Sequence, residues 1–232
     1  MMTIKALVFL IAVVVAKPQV EKIIDFRDER SVSSNVVDAI EGACQSIKDA
    51  GLDPLHIEKQ ELAYELPVPV IFNGAGLIED VISNGLSEVD IKSVSYSVVT
   101  SRLNFDIEVP KIVFGVGAAS AKAVFFSNNF NLEASGNIEI QRIRVVGHVR
   151  VSIGIISGIT VRNVKITFTL GGIDSDVKLV LQDKDYSDDV NKFLGTTIPT
   201  TVKDHSNEIN ELLEILLKDI ITEYLKSSKT LA

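Results

Sequence analysis

A single cysteine stands in a chain of 232 residues. Cys44 therefore has no intrachain partner, disulfide stapling is excluded, and stability has to come from buried apolar surface. Beside Ala43 on a helical pattern, Cys44 reads as a small core residue and not as a reactive thiol. No Asn-x-Ser/Thr triplet occurs, so N-glycosylation is not expected. Positive charge is in deficit, with 23 Lys and Arg against 31 Asp and Glu. That balance argues against nucleic acid as a partner and against electrostatic docking to anionic membranes.

Catalytic and metal-binding signatures are missing as well. There is no Gly-x-Ser-x-Gly elbow, and His56, His148 and His205 lack the spacing of a zinc site. The run from Asp183 to Asp189 begins like a calcium loop, but Asp188 stands where the sixth-position glycine belongs and Leu194 where the twelfth-position glutamate belongs. It reads as a solvated turn in which Ser187 or Asp188 caps a helix. Gly115-Val-Gly-Ala-Ala-Ser120 lacks the third glycine and the following helix of a dinucleotide loop, and reads as a small-residue turn. Neither enzyme activity nor any cofactor or metal is expected.

Long apolar runs are confined to the start. Lys5 precedes an uninterrupted apolar stretch, Ala6 to Val15, and Val14-Val15-Ala16 offers small residues for cleavage, so residues 1–16 read as a signal peptide and the protein as secreted. Nothing later approaches the ~20 uncharged residues of a transmembrane helix. Residues 17–232 read as a single domain, opening with a loose charged segment from Lys17 to Arg30, and 46% hydrophobic content suffices for a core.

What the chain does have is alternation. From Ile143 to Ile155 the odd positions are apolar or glycine, while Arg144, His148, Arg150 and Ser152 fall on the even ones. A strand that long must bend, and Gly147 and Gly154 are places for it. Leu103 to Val109, Val164 to Leu170 and Val177 to Leu181 alternate likewise, predicting an antiparallel meander over residues 89–181. Phase slips between Ile140 and Ile143 and between Val161 and Val164 predict bulges that coil the sheet. The prolines of Leu66-Pro-Val-Pro-Val70 restrict it to an extended edge, and Leu77 to Ile82 fits either strand or helical turn.

Helical spacing frames the strands. Val36, Val37, Ile40, Ala43, Cys44 and Ile47 predict a first helix capped by Ser33 or Ser34 and closed by Gly51 and Asp53-Pro54. Val190, Phe193 and Leu194 predict a short helix broken at Pro199. Ile209, Leu212, Leu213, Leu216, Leu217, Ile220, Ile221, Tyr224 and Leu225 predict a terminal helix with an apolar stripe wide enough to be wrapped by sheet.

Gly51-Leu-Asp-Pro-Leu-His-Ile57 directly after a helix, and Gly85-Leu-Ser87 leading into Val89-Asp-Ile91, resemble the arthropod juvenile-hormone-binding and takeout proteins and the mite group 7 allergen-like proteins of the tubular lipid-binding superfamily. The order of elements agrees over most of the chain. The resemblance implies an α+β fold: a long C-terminal helix wrapped by a strongly curved antiparallel sheet, forming one elongated domain with an apolar tunnel or groove. The arthropod members carry an N-terminal cysteine pair, from which this chain departs in having Cys44 alone.

Together these readings predict a secreted, non-enzymatic protein that sequesters or carries a small hydrophobic ligand such as a fatty acid, lipid or terpenoid hormone. Leu103, Phe105, Ile107, Ile166, Phe168, Leu213, Leu217 and Ile220 are the candidates for the lining, although a packed core demands the same residue types. The alternative is a filled-core secreted structural or interaction module, with the Pro67 to Val70 edge as a contact for a protein partner of unknown identity.

Overall fold

The computed structural model describes residues 28–68, 71–154 and 158–227. The expected signal peptide and most of the expected loose segment lie outside them. At that segment's end, Glu29 and Arg30 already belong to the first helix, α1 (Glu29–Asp49). Its cap is Asp28, whose Oδ1 accepts from the N–H of Arg30 at 3.0 Å. The helix therefore starts before Ser33 and Ser34, the expected caps. Ser33 instead sits inside it, donating to the carbonyl of Glu29 at 2.7 Å.

Seven strands follow in one antiparallel sheet: β1 (Leu55–Glu65), β2 (Phe72–Asn84), β3 (Asp90–Ser97), β4 (Arg102–Phe125), β5 (Asn128–Gly154), β6 (Gly158–Leu181) and β7 (Lys184–Asp185). The order is β1-β2-β4-β5-β6-β7, and β3 pairs with β4. β2 takes Val113 to Phe125 of β4 and β3 takes Arg102 to Glu108, so β2 and β3 lie end to end along the same strand. At 27 residues, β5 has a contour of about 90 Å. The sheet curls into a half-barrel.

Several local expectations change. Leu77 to Ile82 is strand, within β2. Leu66 to Val68 is no edge strand. It belongs to the turn of the β1–β2 hairpin, closed by Leu66 N–H to Phe72 O at 3.3 Å and Ile71 N–H to Val68 O at 3.0 Å, and its proline cannot donate to a ladder. Gly115 to Ser120 is not a turn but runs through the middle of β4, between β2 and β5, because small residues are sterically free to extend. Val164 to Leu170 and Val177 to Leu181 are one strand, β6.

The two phase slips resolve differently. Between Val161 and Val164 a bulge is present, since Arg150 pairs with Asn163 but Val151 with Val161, leaving Arg162 extra. Between Ile140 and Ile143 the register is unbroken on both sides. There the three long strands change phase together. Inward apolar positions step from Val109 to Ile112 on β4, from Ile140 to Ile143 on β5 and from Leu170 to Ile173 on β6, with Pro110, Arg142 (φ 49°) and Gly171 between them. Pro110 is tolerated in this long strand because it falls in the gap between the β2 pairing, which ends at Val113, and the β3 pairing, which ends at Glu108.

A further bulge lies between Val116 and Ala119 of β4. Opposite it Gly136 has φ +126°, and a Cβ there would stand 2.0 Å from the carbonyl oxygen of Asp176, so only glycine fits. Gly147 meets a different demand, close approach, since a Cβ would fall 2.9 Å from Cζ of Phe105 and 2.2 Å from the carbonyl of Lys165.

After β7 come α2 (Ser187–Lys192), a π-helical turn (Phe193–Thr197), α3 (Ile198–Asp204) and α4 (Ser206–Ser227). The N-cap of the first of these is Tyr186, without a side-chain cap bond, rather than Ser187 or Asp188; Ser187 N–H donates instead to Oδ1 of the preceding Asp185 at 2.8 Å. Nor does Pro199 break the helix. It stands in the first turn of α3, where its missing N–H is needed least, and the preceding turn widens to accommodate it. The chain bends instead at His205 (φ −107°, ψ 29°).

The two short motifs of the family resemblance meet in space. Asp53, buried, accepts from the N–H groups of Gly85 at 2.8 Å and Ser87 at 2.6 Å and from the Ser87 hydroxyl. One carboxylate thus ties the turn after α1 to the junction of β2 and β3.

Candidate functional site

The inner face of the half-barrel divides into two regions. In the lower region the sheet is β3-β4-β5-β6, and both of its edges are covered by helix side chains that accept strand N–H groups. On β3, Tyr96 N–H donates to Ser33 Oγ at 3.0 Å, and just past its end Val98 N–H donates to Glu29 Oε1 at 2.7 Å, both acceptors from α1. On β6, Ile166 N–H donates to Glu214 Oε1 at 3.2 Å and Phe168 N–H to Asn210 Oδ1 at 2.8 Å, both from α4. Farther up, Asn191 of α2 takes both backbone groups of Val177, and Ser187 Oγ accepts from Leu179 N–H at 3.0 Å. These side chains stand where a neighbouring strand would otherwise be.

Between the helices this lower region is packed. Val32, Tyr96, Phe105, Val149, Val151, Val164, Ile166 and Leu213 form one buried cluster, and Leu103, Ile107, Phe168 and Leu217 pack against it. Seven of the eight residues named above as candidate lining are therefore brought together. The eighth, Ile220, is half-buried on α4 and outside that cluster. A second cluster, Val109, Ile112, Ile140 and Ile173, sits at the level of the shared phase change, with Leu194 and Ile198 beside it. The terminal helix is covered on its inner flank only: Leu213 is 2% exposed, whereas Ile215 is 53% exposed.

Glu214 is poised between opposing influences. Burial raises its pKa, but the hydrogen bonds from Lys165 Nζ (2.9 Å) and from Ile166 N–H outweigh it and hold the carboxyl below the usual glutamate range. Asn210, Glu214 and Asn191 were readable in sequence only as polar helix positions. Their spacing on the helix, four residues for Asn210 and Glu214, was the one signal that they share a face.

The upper region is different. Here the register aligns Leu62 and Tyr64 of β1, Phe72, Gly74 and Gly76 of β2, Ala121, Ala123 and Phe125 of β4, Phe130 and Leu132 of β5 and Leu181 of β6 on the inner face. A Cβ on Gly74 would touch both the Phe72 ring (3.1 Å) and Ala123 Cβ (3.9 Å), which fixes that common side. The result is a trough with a small-residue floor and an aromatic and aliphatic rim. Tyr64 and Phe72 stack tilted, ring centres 6.0 Å apart. Among the described residues the helices lie against β3 and β6, and the rim is open: Tyr64 is 62% and Phe125 49% exposed. The sequence carries no periodic signal for this trough, because glycine and alanine floor residues lack the large alternating side chains that mark an inward face.

Two other concavities are polar. One of about 550 Å³ is lined by Asn104, Asp106, His148, Lys165 and Thr167 along with Phe105 and Ile166. His148 there is disfavoured from protonating by burial and by Arg102 and Arg150. The other, about 430 Å³ between α1 and β3, has half-buried Cys44 in its wall, the thiol pKa raised by burial. Among the described residues there is no group of three His, Cys, Asp or Glu able to hold a metal ion, and no helix is long and apolar enough to cross a membrane.

Comparison with known proteins adds the family. No curated protein matches the chain. Among solved structures, Takeout 1 of Epiphyas postvittana is similar over 87% of this chain and 92% of its own, at 13% identity and a TM-score of 0.44. Lipopolysaccharide binding protein is similar over 83% of this chain, which spans 37% of that protein's length, at 9% identity and a TM-score of 0.24. The model of the haemolymph juvenile hormone binding protein family matches residues 8–229, nearly the whole sequence, and the chain belongs to that family.

Proposed function

We propose that this protein is a secreted, non-enzymatic binding protein that carries a small apolar ligand, a fatty acid, lipid or terpenoid, on the upper inner face of the half-barrel. The observation that carries this reading is the open trough, where Tyr64, Phe72, Phe125 and Phe130 rim a floor of glycine and alanine. Leaving such a face to water is costly, and a ligand burying a few hundred Å² there gains several kcal/mol at about 25 cal/mol per Å² before ordering costs. Membership of a family named for juvenile hormone binding supports an apolar ligand of this kind.

The lower region favours a second reading, an interaction module without ligand, because the residues from Leu103 to Leu217 in that region pack on one another. The two readings part in one experiment. Organic extraction of the purified full chain, followed by mass spectrometry, yields a stoichiometric co-purified lipid if the trough is a carrier site. A protein that is free of lipid and also fails to bind a fluorescent fatty acid is the interaction module.

A further inference from the structure

Three hairpin ends meet at the upper end of the sheet. Phe126 N–H donates to Ile71 O at 3.2 Å, and Gln182 reaches Asn131 O through its N–H at 2.9 Å and Asn129 O through Nε2 at 2.6 Å. At this end Val68, Ile71, Phe125, Phe126 and Phe130 are all exposed. Charge is absent from both aromatic hairpins: Leu66 to Ile78 and Ala123 to Leu132 contain no Asp, Glu, Lys or Arg, in a chain where 23% of residues are charged.

The turn at the tip carries a cost that the fold does not require. Phe126 (φ 46°) and Ser127 (φ 66°) are both left-handed, the type I′ pattern that asparagine and glycine satisfy without strain. A phenylalanine in that conformation is disfavoured, and this one is 61% exposed, its ring edge-on to Phe125 at 4.7 Å. Apart from that one ring contact the strained, solvent-facing aromatic adds little packing among the described residues, which makes it a candidate for contact with something outside the chain.

We infer that the two uncharged aromatic hairpins at this end dock into the interfacial region of a neutral lipid surface, with Phe126 as the leading side chain. The chemistry selects that occupant. Aromatic rings settle at the boundary of headgroups and acyl chains, and the two aromatic hairpins carry no charge to desolvate there, unlike the third hairpin end with its exposed Asp183 and Lys184. Recruitment by anionic lipid is disfavoured by the net charge of −8. The trough reaches the same end, since Phe125 and Phe130 belong to both, which places an apolar ligand site next to its lipid source. The docking itself does not depend on what the trough holds.

The test is flotation of the full chain with phosphatidylcholine vesicles, with no ligand added. Wild type is expected to float with the vesicles, and Phe126→Asn, which suits the turn, to lose affinity at least about tenfold while keeping its melting temperature. Val99→Asn, at an exposed position in the β3–β4 turn, is expected to float like wild type. Absence of wild-type flotation, or equal flotation of Phe126→Asn, overturns the inference. So does a wild-type dimer in sedimentation that Phe126→Asn dissolves, since the tip would then be a self-contact. A fluorescent fatty acid titrated without vesicles reports on the trough alone, so loss of ligand binding and loss of docking are read apart.

Discussion

Asn210 Oδ1 accepts the backbone N–H of Phe168 at 2.8 Å, so an amide on the terminal helix takes the place of a neighbouring strand along β6. Glu214 does the same for Ile166 one helical turn on. The helix is thereby attached to the sheet by directional bonds as well as by Leu213, and removing either kind of contact has a calculable effect.

Replacing Asn210 with Ala leaves the Phe168 N–H without its partner in a partly buried place. A loss of about 1 to 3 kcal/mol is expected in urea unfolding, against less than about 0.5 kcal/mol for the exposed Asn207→Ala.

Truncation of α4 should be asymmetric. Leu213→Ala, at 2% exposure, is expected to cost about 2 to 5 kcal/mol, and Ile215→Ala, at 53%, to fall within about 0.5 kcal/mol of wild type. Equal costs in thermal or chemical unfolding would mean that the sheet covers both flanks.

The Asp53 clamp is the third test. Asp53→Ala strands the N–H groups of Gly85 and Ser87 in the interior, and a loss of about 3 kcal/mol or more is expected from denaturant titration. Asp53→Asn restores one acceptor but turns an amide NH2 toward the N–H of Gly85 or Ser87, with only the Ser87 hydroxyl able to accept from it, and is expected to recover only part of the loss.

Acid stability follows from Glu214, whose carboxyl is held below its ordinary value of 4.5. Its folded pKa is depressed, so its contribution is present above the unfolded pKa and fades as pH falls through the folded one. Glu214→Gln should therefore be less stable than wild type at neutral pH, and the difference should shrink as pH drops below about 4.5. A difference that stays constant across that window would remove the Lys165 ion pair from the account.

Much of the fold was legible because it rests on alternation and on helical period. Ile143 to Val151, Leu103 to Val109 and the stripe from Ile209 to Ile221 follow directly from those two spacings, and the bulge at Arg162 from a slip in one of them. The slip at Ile140 to Ile143 was legible but its consequence was not, since Val109 to Ile112 and Leu170 to Ile173 slip at the same level and cancel the need for a bulge. Pro67 to Val68 and Pro199 misled for a shared reason: proline says where a donor is missing, not which element supplies the surroundings. The upper trough escaped because Gly74, Gly76, Ala121 and Ala123 look like turn or filler residues until the register sets them side by side.

The central claim is that an apolar ligand lies on that floor and not among the packed residues of the lower region. Fluorescent fatty acid titration of Ala121→Phe, which fills the middle of the trough, tests it most directly, with Phe105→Leu in the lower cluster as the counterpart. The account predicts that Ala121→Phe weakens binding at least about tenfold while Phe105→Leu lowers the melting temperature and leaves affinity unchanged. Undiminished binding by Ala121→Phe, together with lost binding by Phe105→Leu, would contradict it.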